Sequence, residues 1–245
     1  WDFSATFAGG TKIALCGPKR SGVSGISKAL LRFIDPEKRS SNLASIGRVK
    51  ISIDEQSIHQ LGLHTVRETI SVISPQLFSM TIAEYLGEVE ELQMWQALEK
   101  VGIKDKISFT DSKLHTLLMS ESLQLTFAER LLLSMAKALC RKTQIVLFRE
   151  PKTEMSKADT NAVKDALFSC FNKHTLIVAA YTQAFLDGVD VVFVMSHGAI
   201  VQQGSVATLR QQATNSPFNR LFSRQEEEVI EKELEAAERG NLIDL

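Results

Sequence analysis

The sequence has few cysteines, no long apolar run and almost no net charge, and each shortage excludes a class of protein. Its three cysteines, Cys16, Cys140 and Cys170, form no C-x-x-C pair, which argues against a disulfide framework and favours a reducing, cytosolic compartment. No run of about 18 apolar residues occurs, and the N-terminal WDFSATF lacks the features of a signal peptide. We therefore expect that the chain itself neither spans a membrane nor enters the secretory route.

The charge balance and the rare histidines exclude further functions. Lysine plus arginine number 28 and aspartate plus glutamate 29, so nothing in the net charge of −1 indicates a nucleic-acid partner. His59 and His64 are five residues apart across a glycine-containing segment, without nearby cysteines or a carboxylate cluster, which argues against a zinc site. No G-x-S-x-G motif is present, so serine-hydrolase chemistry has no support.

Short apolar runs alternate with helical segments, which predicts an α/β fold with a mostly parallel sheet covered on both faces. The predicted strands cover residues 11–17, 47–54, 69–74, 143–148, 175–180 and 190–204, the last with a turn at His197 and Gly198. The predicted helices lie after residue 22, mostly through 80–141, and over 158–171. The polar residues 35–45 predict a surface loop, and the charge-rich residues 223–245 predict a partly ordered tail.

The first strand leads into LCGPKRSGVSG, residues 15–25, which matches most of the phosphate-binding motif G-x-x-x-x-G-K-[ST]. In that motif, backbone N–H groups surround the phosphates, the lysine reaches the outer phosphates and the hydroxyl residue binds Mg²⁺. Val23 replaces the lysine, which removes a contact worth about 1.5–3 kcal/mol, or about tenfold to hundredfold in affinity. The candidate nucleotide-binding residues are Gly17, Lys19, Arg20, Ser21, Gly22, Val23 and Ser24, with Ser24 also the candidate Mg²⁺ ligand.

Two alternatives remain open for this segment. It is equally consistent with a plain turn between a strand and a helix. Lys19 or Arg20 either supplies the missing positive charge or simply faces water.

The segment IVLFRE, residues 145–150, is an apolar strand followed by a charged pair. In P-loop ATPases an aspartate that holds Mg²⁺ follows such a strand, and in many families a neighbouring glutamate orients the attacking water. Arg149 occupies the aspartate position, where a positive charge repels a metal ion. Glu150 is the residual catalytic candidate; alternatively, it pairs with Arg149 or with a surface lysine.

In chain order, these segments resemble the nucleotide-binding domain of an ABC transporter, most closely the second such domain of the multidrug-resistance and sulfonylurea-receptor subfamily. The resemblance covers residues 7–222 and is carried by GRVKISIDEQSIHQLGLHTVRETISVISPQLFSMTIAEYL, MWQALEKVGIKDKI, RLLLSMAKALCRKTQIVLFRE and VDVVFVMSHGAIVQQG. It implies a P-loop NTPase (RecA-like) core with a mostly parallel sheet, a small antiparallel β-subdomain and an α-helical subdomain. The implied domain covers 1–222, with a core at 1–76 and 142–222 and the helical subdomain at 77–141, before the tail at 223–245.

The chain departs from this family at several motifs. Family members enclose ATP between two domains, where the P-loop of one faces the signature L-S-G-G-Q of the other. Here the signature position reads Leu125-Thr126-Phe127-Ala128-Glu129, which lacks both glycines and adds a negative charge. The resemblance aligns Ile73 with the Q-loop glutamine, although Gln76 lies nearby, Tyr181 with the switch histidine and Ser156 with the D-loop aspartate.

The resemblance and these departures imply a degenerate, non-hydrolytic nucleotide-binding domain at the cytoplasmic face of a membrane, within a larger transporter. Its implied partners are a second nucleotide-binding domain and, through coupling helices, membrane-spanning domains; its binding of ATP and Mg²⁺ is weakened. One alternative is a slow ATPase that uses Ser24, Glu150 and a substitute cation. Another is a scaffold that no longer binds nucleotide and docks on a coupling helix through Leu77, Phe78 and Tyr85.

Overall fold

The computed structural model describes residues 3–34, 50–153 and 155–223, and its centre is a six-stranded sheet. The strands of this sheet are β1 (Lys12–Cys16), β4 (Ile70–Ile73), β5 (Ile145–Arg149), β6 (Thr175–Ala179), β7 (Val191–Ser196) and β8 (Ala199–Gly204). Their order is β4-β5-β6-β1-β7-β8, and every neighbouring pair is parallel except β7 and β8. The predicted α/β fold with a mostly parallel sheet is therefore confirmed.

Side chains that alternate along the buried strands divide the core between the two faces of the sheet. One face carries Ile13, Leu15 and Leu147 and packs against helix α1 (Val23–Leu30). The opposite face is larger and packs against the long helices α6 (Phe127–Arg141) and α7 (Lys157–Cys170). Both faces are covered, which explains why these strands read as almost continuous apolar runs.

The helical region predicted for residues 80–141 is confirmed and consists of short helices arranged around α6. These are α3 (Ile82–Leu86), α4 (Glu91–Lys100), α5 (Lys104–Ser108) and a 3₁₀ turn at Lys113–His115. Both α3 and α6 begin with a capping box, in which a threonine and a glutamate three residues later exchange hydrogen bonds with each other's backbone. These local signals explain why the sequence pattern located this region correctly.

A small antiparallel sheet is present, but the strand predicted for residues 47–54 is shorter than expected. Strand β2 is only Ser52–Ile53 and pairs with β3 (Gln56–Ser57). Asp54 and Glu55 between them have φ values of +47° and +67°, so the chain reverses there and the strand ends. Helix α2 (Leu63–Thr69) follows, and its C-terminal Thr69 is helical rather than the first residue of the predicted strand.

Several sequence predictions fall on residues beyond the described ranges. These are the loop at 35–45, the beginning of the strand at 47–54 and the charged tail from residue 224; Ser223, the first residue of the predicted tail, lies in a helical stretch that begins at residue 217. The described residues also include helix α8 (Val206–Arg210) and a 3₁₀ turn at Gln183–Phe185. Within the described residues, every helix is too short or too polar to cross a bilayer.

The packing of the larger core face predicts a large cost for losing one aromatic ring. Phe148 is 1% exposed, and its ring centroid lies 5.0 Å from that of Phe185. We expect Phe148→Ala to lower the free energy of unfolding by about 3–5 kcal/mol, measured by urea denaturation. The matched control is Phe109→Ala at a residue that is 87% exposed, where little change is expected. Equal effects of the two substitutions would contradict this description of the core.

Candidate functional site

The candidate residues from distant parts of the chain meet at the carboxyl ends of β1, β5 and β6. Ala179 on β6 is level with Leu15 on β1 and with Arg149 on β5. The loop after β1, the pair Arg149 and Glu150, and the segment after β6 therefore leave the sheet at one edge. Ligands of open α/β sheets bind outside this edge, where parallel strands end.

The loop after β1 has the close packing and backbone geometry of a phosphate-binding loop. A Cβ atom at Gly17 would lie 2.5 Å from the carbonyl oxygen of Met195 and 2.6 Å from Oγ of Ser21, so only glycine fits there. Gly22 has a φ of +108°, which also favours glycine. The buried Ser21 is held in place because its carbonyl accepts a hydrogen bond of 2.8 Å from the Gly198 N–H. Both motif glycines are therefore needed by the conformation of the loop.

Helix α1 begins at the end of this loop with an uncapped N-terminus. Gly22 is its N-cap residue, and within the described part of the chain no side chain caps the helix there. The Gly25 N–H already donates to the Gly22 carbonyl at 2.8 Å, but the N–H groups that precede it in this turn and the helix dipole are available to an anion, as nucleotide binding requires. Val23 does not point toward that site, because it is 4% exposed and packs with Ile13 and Leu15. The loop thus fits a phosphate chain, and its cationic side chains are the exposed Lys19 and Arg20.

Glu150 is buried beneath the segment that follows β6, with three hydrogen-bond donors around its carboxylate. The backbone N–H of Thr182 donates at 2.8 Å, and the Tyr181 N–H and the Thr182 hydroxyl also donate. Burial raises the pKa of Glu150, although the hydrogen bonds from Thr182 and Tyr181 oppose this shift. The sequence left pairing of Glu150 with Arg149 or a surface lysine as an alternative, but in the structure the buried carboxylate is bound to Tyr181 and Thr182 instead.

Arg149 and Tyr181 contact each other outside the sheet. Arg149 Nε donates a hydrogen bond of 3.2 Å to the Tyr181 hydroxyl, and the guanidinium carbon lies 6.0 Å from the ring centroid. Nζ of Lys152 lies 5.7 Å from the same ring. Two cations therefore flank Tyr181 at the edge where a P-loop protein would hold a metal.

These residues do not fit a magnesium ion. Mg²⁺ is usually bound through one or two carboxylates together with phosphate oxygens and water. Here Ser24 offers a single hydroxyl, Arg149 carries a positive charge and Glu150 already accepts three hydrogen bonds. Among the residues in the described ranges, no cluster of three histidine, cysteine, aspartate or glutamate side chains could hold a metal.

Burial and the charge of Glu150 also act on a neighbouring thiol. Cys16, the last residue of β1, is fully buried, and burial together with the nearby Glu150 raises its pKa to about 12. The three cysteines of the chain are free thiols. Cys16 is therefore a neutral packing residue beneath the phosphate loop rather than a nucleophile.

The N-terminus of α6 lies at the position of the family signature. It differs from the N-terminus of α1 because a carboxylate of the same helix, that of Glu129, already binds there. The Thr126 N–H donates to Oε2 of Glu129 at 2.7 Å, and the Glu129 N–H donates to Oγ1 of Thr126 at 3.2 Å. Lys106 Nζ lies 2.6 Å from the same carboxylate oxygen. Burial by itself raises the pKa of Glu129, but the hydrogen bonds from Lys106 and Thr126 outweigh it and lower the pKa. Glu129 is thus charged and occupies the positive end of the helix.

The remaining motif positions have structural roles in this chain. Ile73 is buried at the end of β4, whereas Gln76 is exposed three residues later. Ser156 is the N-cap of α7 and accepts a hydrogen bond of 3.0 Å from the Asp159 N–H.

The docking surface expected from Leu77, Phe78 and Tyr85 is only partly correct. Phe78 is 53% exposed and Leu77 is half-buried against the core. Tyr85 is 4% exposed, and Lys137 Nζ lies 4.1 Å from its ring centroid, so Tyr85 belongs to the interior. Of the three residues, Phe78 alone presents a largely exposed apolar side chain.

Sequence reasoning missed the contacts that join residues 149–150 to residues 181–182. The two segments are more than 30 positions apart, and no local pattern links them. The available signal was that both follow buried strands, since the carboxyl ends of parallel neighbours meet at one edge.

Comparisons with known proteins agree with this arrangement. A family model described as ABC transporter matches residues 2–153. ABC transporter C family member 13 of Oryza sativa subsp. indica is 29% identical over 204 residues, which is 81% of this chain and 13% of the relative. ABC transporter C family member 5 of Arabidopsis thaliana is 29% identical over 211 residues, 84% of this chain and 13% of the relative. The chain therefore spans about an eighth of the length of these curated relatives.

A solved structure of a bacterial Atm1-family ABC exporter with ATP bound has a similar fold. It superposes with a TM-score of 0.73 and 22% sequence identity, covering 89% of this chain and 37% of the exporter chain. At this identity the likeness shows the fold alone, and this fold is the predicted α/β arrangement with a mostly parallel sheet.

The phosphate loop predicts that replacing one arginine by glycine stabilises the protein. Arg20 has a φ of +68°, a left-handed conformation that costs an L-residue about 1–2 kcal/mol. We expect Arg20→Gly to raise the free energy of unfolding by about 1 kcal/mol in urea denaturation, after the extra entropy of glycine is subtracted. Lys19→Gly is the matched control, because Lys19 does not have a positive φ and its replacement should destabilise. Stabilisation by both substitutions, or by neither, would contradict the strain at Arg20.

Burial of Glu150 predicts a particular pH dependence of stability. The folded state raises the pKa of Glu150 above its ordinary value of 4.5, so the folded protein binds this proton more tightly than the unfolded chain. Its contribution to stability is therefore fully present below pH 4.5 and is lost as the pH rises through the folded-state pKa. Relative to Glu150→Gln, which does not titrate, wild-type stability should fall as the pH rises above 4.5. Urea denaturation of both proteins across this range tests the prediction; a constant difference would contradict it.

Proposed function

The chain belongs to the ABC transporter family, and we propose that it is the nucleotide-binding domain of an exporter-type transporter that has lost ATP hydrolysis. Domains of this family generally bind ATP with Mg²⁺. In this proposal the domain still binds nucleotide but does not hydrolyse it. The uncapped N-terminus of α1 supports the binding of nucleotide. It also assigns residues 1–222 to this domain, with the helical subdomain at 77–141 and the tail at 223–245.

The observation that carries the proposal is the environment of Glu150. A glutamate that orients water must present its carboxylate to the site. Here the carboxylate accepts hydrogen bonds from the Tyr181 N–H and from both the N–H and the hydroxyl of Thr182, inside the protein. Tyr181 also aligns with the switch histidine and contacts Arg149, so the substituted positions support each other. The Glu150 carboxylate is therefore not free to act as a base for a water molecule, and the side chains around it do not supply the ligands of a magnesium ion.

The N-terminus of α6 supports the loss of hydrolysis at a second place. In the family, this end of one domain faces the P-loop of its partner. Glu129 fills it with a carboxylate that is bound to Lys106 and Thr126, which disfavours another anion there. We infer that the partner nucleotide-binding domain gains little phosphate binding from this chain, so both composite sites are weakened.

The proposed partners follow from the family. The chain is expected to pair with a second nucleotide-binding domain and to contact coupling helices of membrane-spanning domains at the cytoplasmic face. The exposed Phe78, which follows β4, is an apolar side chain available for such a contact. The C-family relatives support membership of the multidrug-resistance subfamily, and the second nucleotide-binding position remains part of the proposal.

A scaffold that no longer binds nucleotide is the second candidate function. It is favoured by Val23, which packs into the core where the family has the phosphate-binding lysine. The slow-ATPase alternative is weaker, because it needs the carboxylate of Glu150 to be released from Tyr181 and Thr182.

The proposal predicts that the purified chain does not turn over Mg-ATP. Phosphate release should equal that of Glu150→Gln and of a protein-free blank, because Glu150 does not reach a substrate water. Glu121→Gln is the control, since Glu121 is an exposed carboxylate outside the site. Turnover that persists in Glu121→Gln and disappears in Glu150→Gln would overturn the proposal and support the slow ATPase.

A further inference from the structure

We propose that the Arg149 guanidinium takes the place of the divalent metal, so that the site binds the phosphate chain of metal-free nucleoside triphosphate. This inference rests on the proposed function, because it assumes that the phosphate loop is used. It starts from the observation that the side chains at this edge of the sheet do not provide the ligands that a magnesium ion needs. A site that merely binds Mg-ATP weakly would still bind ATP better with Mg²⁺ than without it. This inference predicts the opposite, namely that Mg²⁺ weakens the binding of ATP.

The strand register places Arg149 on the side of the sheet that carries the phosphate loop. Residues alternate between faces, so Arg149 shares a face with Leu147, two positions before it. Leu147 belongs to the core cluster that contains Leu15 of β1 and Val23 of α1. The side chain of Arg149 therefore leaves β5 on the face covered by α1. Since one strand separates β5 from β1, Arg149 begins about 10 Å from the strand that leads into the loop.

The charges around this position suit a polyanion. Arg149 is exposed and carries a guanidinium cation, and Lys19, Arg20 and Lys152 are further exposed cations at or beside the two loops. The carboxylate of Glu150, the residue directly after β5, is buried and accepts three hydrogen bonds from residues 181 and 182. Free ATP carries more negative charge than Mg-ATP, so these cations attract the free form more strongly.

Tyr181 orients the guanidinium for this role. The hydrogen bond to the Tyr181 hydroxyl uses Nε of Arg149. Both terminal nitrogens of the guanidinium remain geometrically able to donate in parallel to two phosphate oxygens. The hydroxyl of Ser24 and the N–H groups at the uncapped start of α1 complete the set of donors. A magnesium ion would compete with this arrangement, because it occupies the same phosphate oxygens and is repelled by Arg149.

Calorimetric titration of the purified chain with ATP tests the inference in two buffers, one containing EDTA and one containing excess Mg²⁺. We expect measurable binding in EDTA and weaker binding in Mg²⁺. Arg149→Ala should weaken binding in EDTA about tenfold, the loss expected for a charged hydrogen bond. Arg141→Ala is the matched control and should leave both affinities unchanged, because Arg141 ends α6, just before β5 begins, and donates to the carbonyl of Arg67.

Two further variants separate the charge of Arg149 from its structural role. Arg149→Lys keeps the positive charge and should retain tighter binding in EDTA than in Mg²⁺. Arg149→Asp replaces the cation with a metal ligand and should reverse the effect, so that Mg²⁺ strengthens binding. Thermal unfolding of each variant establishes that the fold is intact. An effect of Mg²⁺ with the same sign in Arg149→Asp and in wild type would overturn the inference.

The remaining outcomes distinguish this inference from the proposed function. Wild-type binding that requires Mg²⁺, without turnover, would overturn the role of Arg149 and leave the non-hydrolytic domain standing. Turnover that depends on Glu150 would overturn the proposed function. If neither buffer shows binding up to millimolar ATP, the inference is also overturned, and the scaffold becomes the better description.

Discussion

The buried carboxylate of Glu150 is the interaction on which the carboxyl edge of the sheet depends. It joins the end of β5 to the residues after β6, beside the last residue of β1. A buried carboxylate is strongly unfavourable unless hydrogen bonds satisfy it, so the Tyr181 and Thr182 donors and Glu150 stabilise one another. The same bonds keep the carboxylate away from the site. The contact that stabilises this edge is therefore also the contact on which the proposed loss of hydrolysis rests.

The charges at the helix N-termini and at Arg149 favour the binding of phosphate more than the hydrolysis of ATP. The start of α1 has no side-chain cap among the described residues and lies beside exposed cations, whereas the start of α6 holds the carboxylate of Glu129. Two helix N-termini with similar dipoles thus differ in their capacity for an anion. Arg149 adds a positive charge beside the first. We therefore propose a site that holds phosphates without the metal and the base that phosphoryl transfer needs.

Local signals in the sequence were sufficient for most of the fold. The apolar runs predicted β5, β6 and β7, and the spacing of apolar residues predicted α1, α6 and α7. Predictions failed where geometry depends on a few backbone angles or on partners distant in the chain. Asp54 and Glu55 end β2 through positive φ values that their side chains do not require. Tyr85 was expected at the surface because a short amphipathic helix does not reveal which neighbour covers it.

The sequence alone determined the glycine frame of the phosphate loop, the loss of its lysine and the replacement of the expected aspartate by Arg149. These features are defined by residue type and spacing, which do not depend on how the chain folds. The tertiary structure decided that Glu150 faces Tyr181 and Thr182, that Arg149 contacts Tyr181 and that Val23 is buried. The first two depend on parallel pairing of strands about 30 residues apart in the chain, and on the face that every second residue presents. Val23 is buried because α1 packs on the face of the sheet that carries Ile13 and Leu15. Register and face are set by packing of the whole sheet, so only the folded chain brings these side chains together.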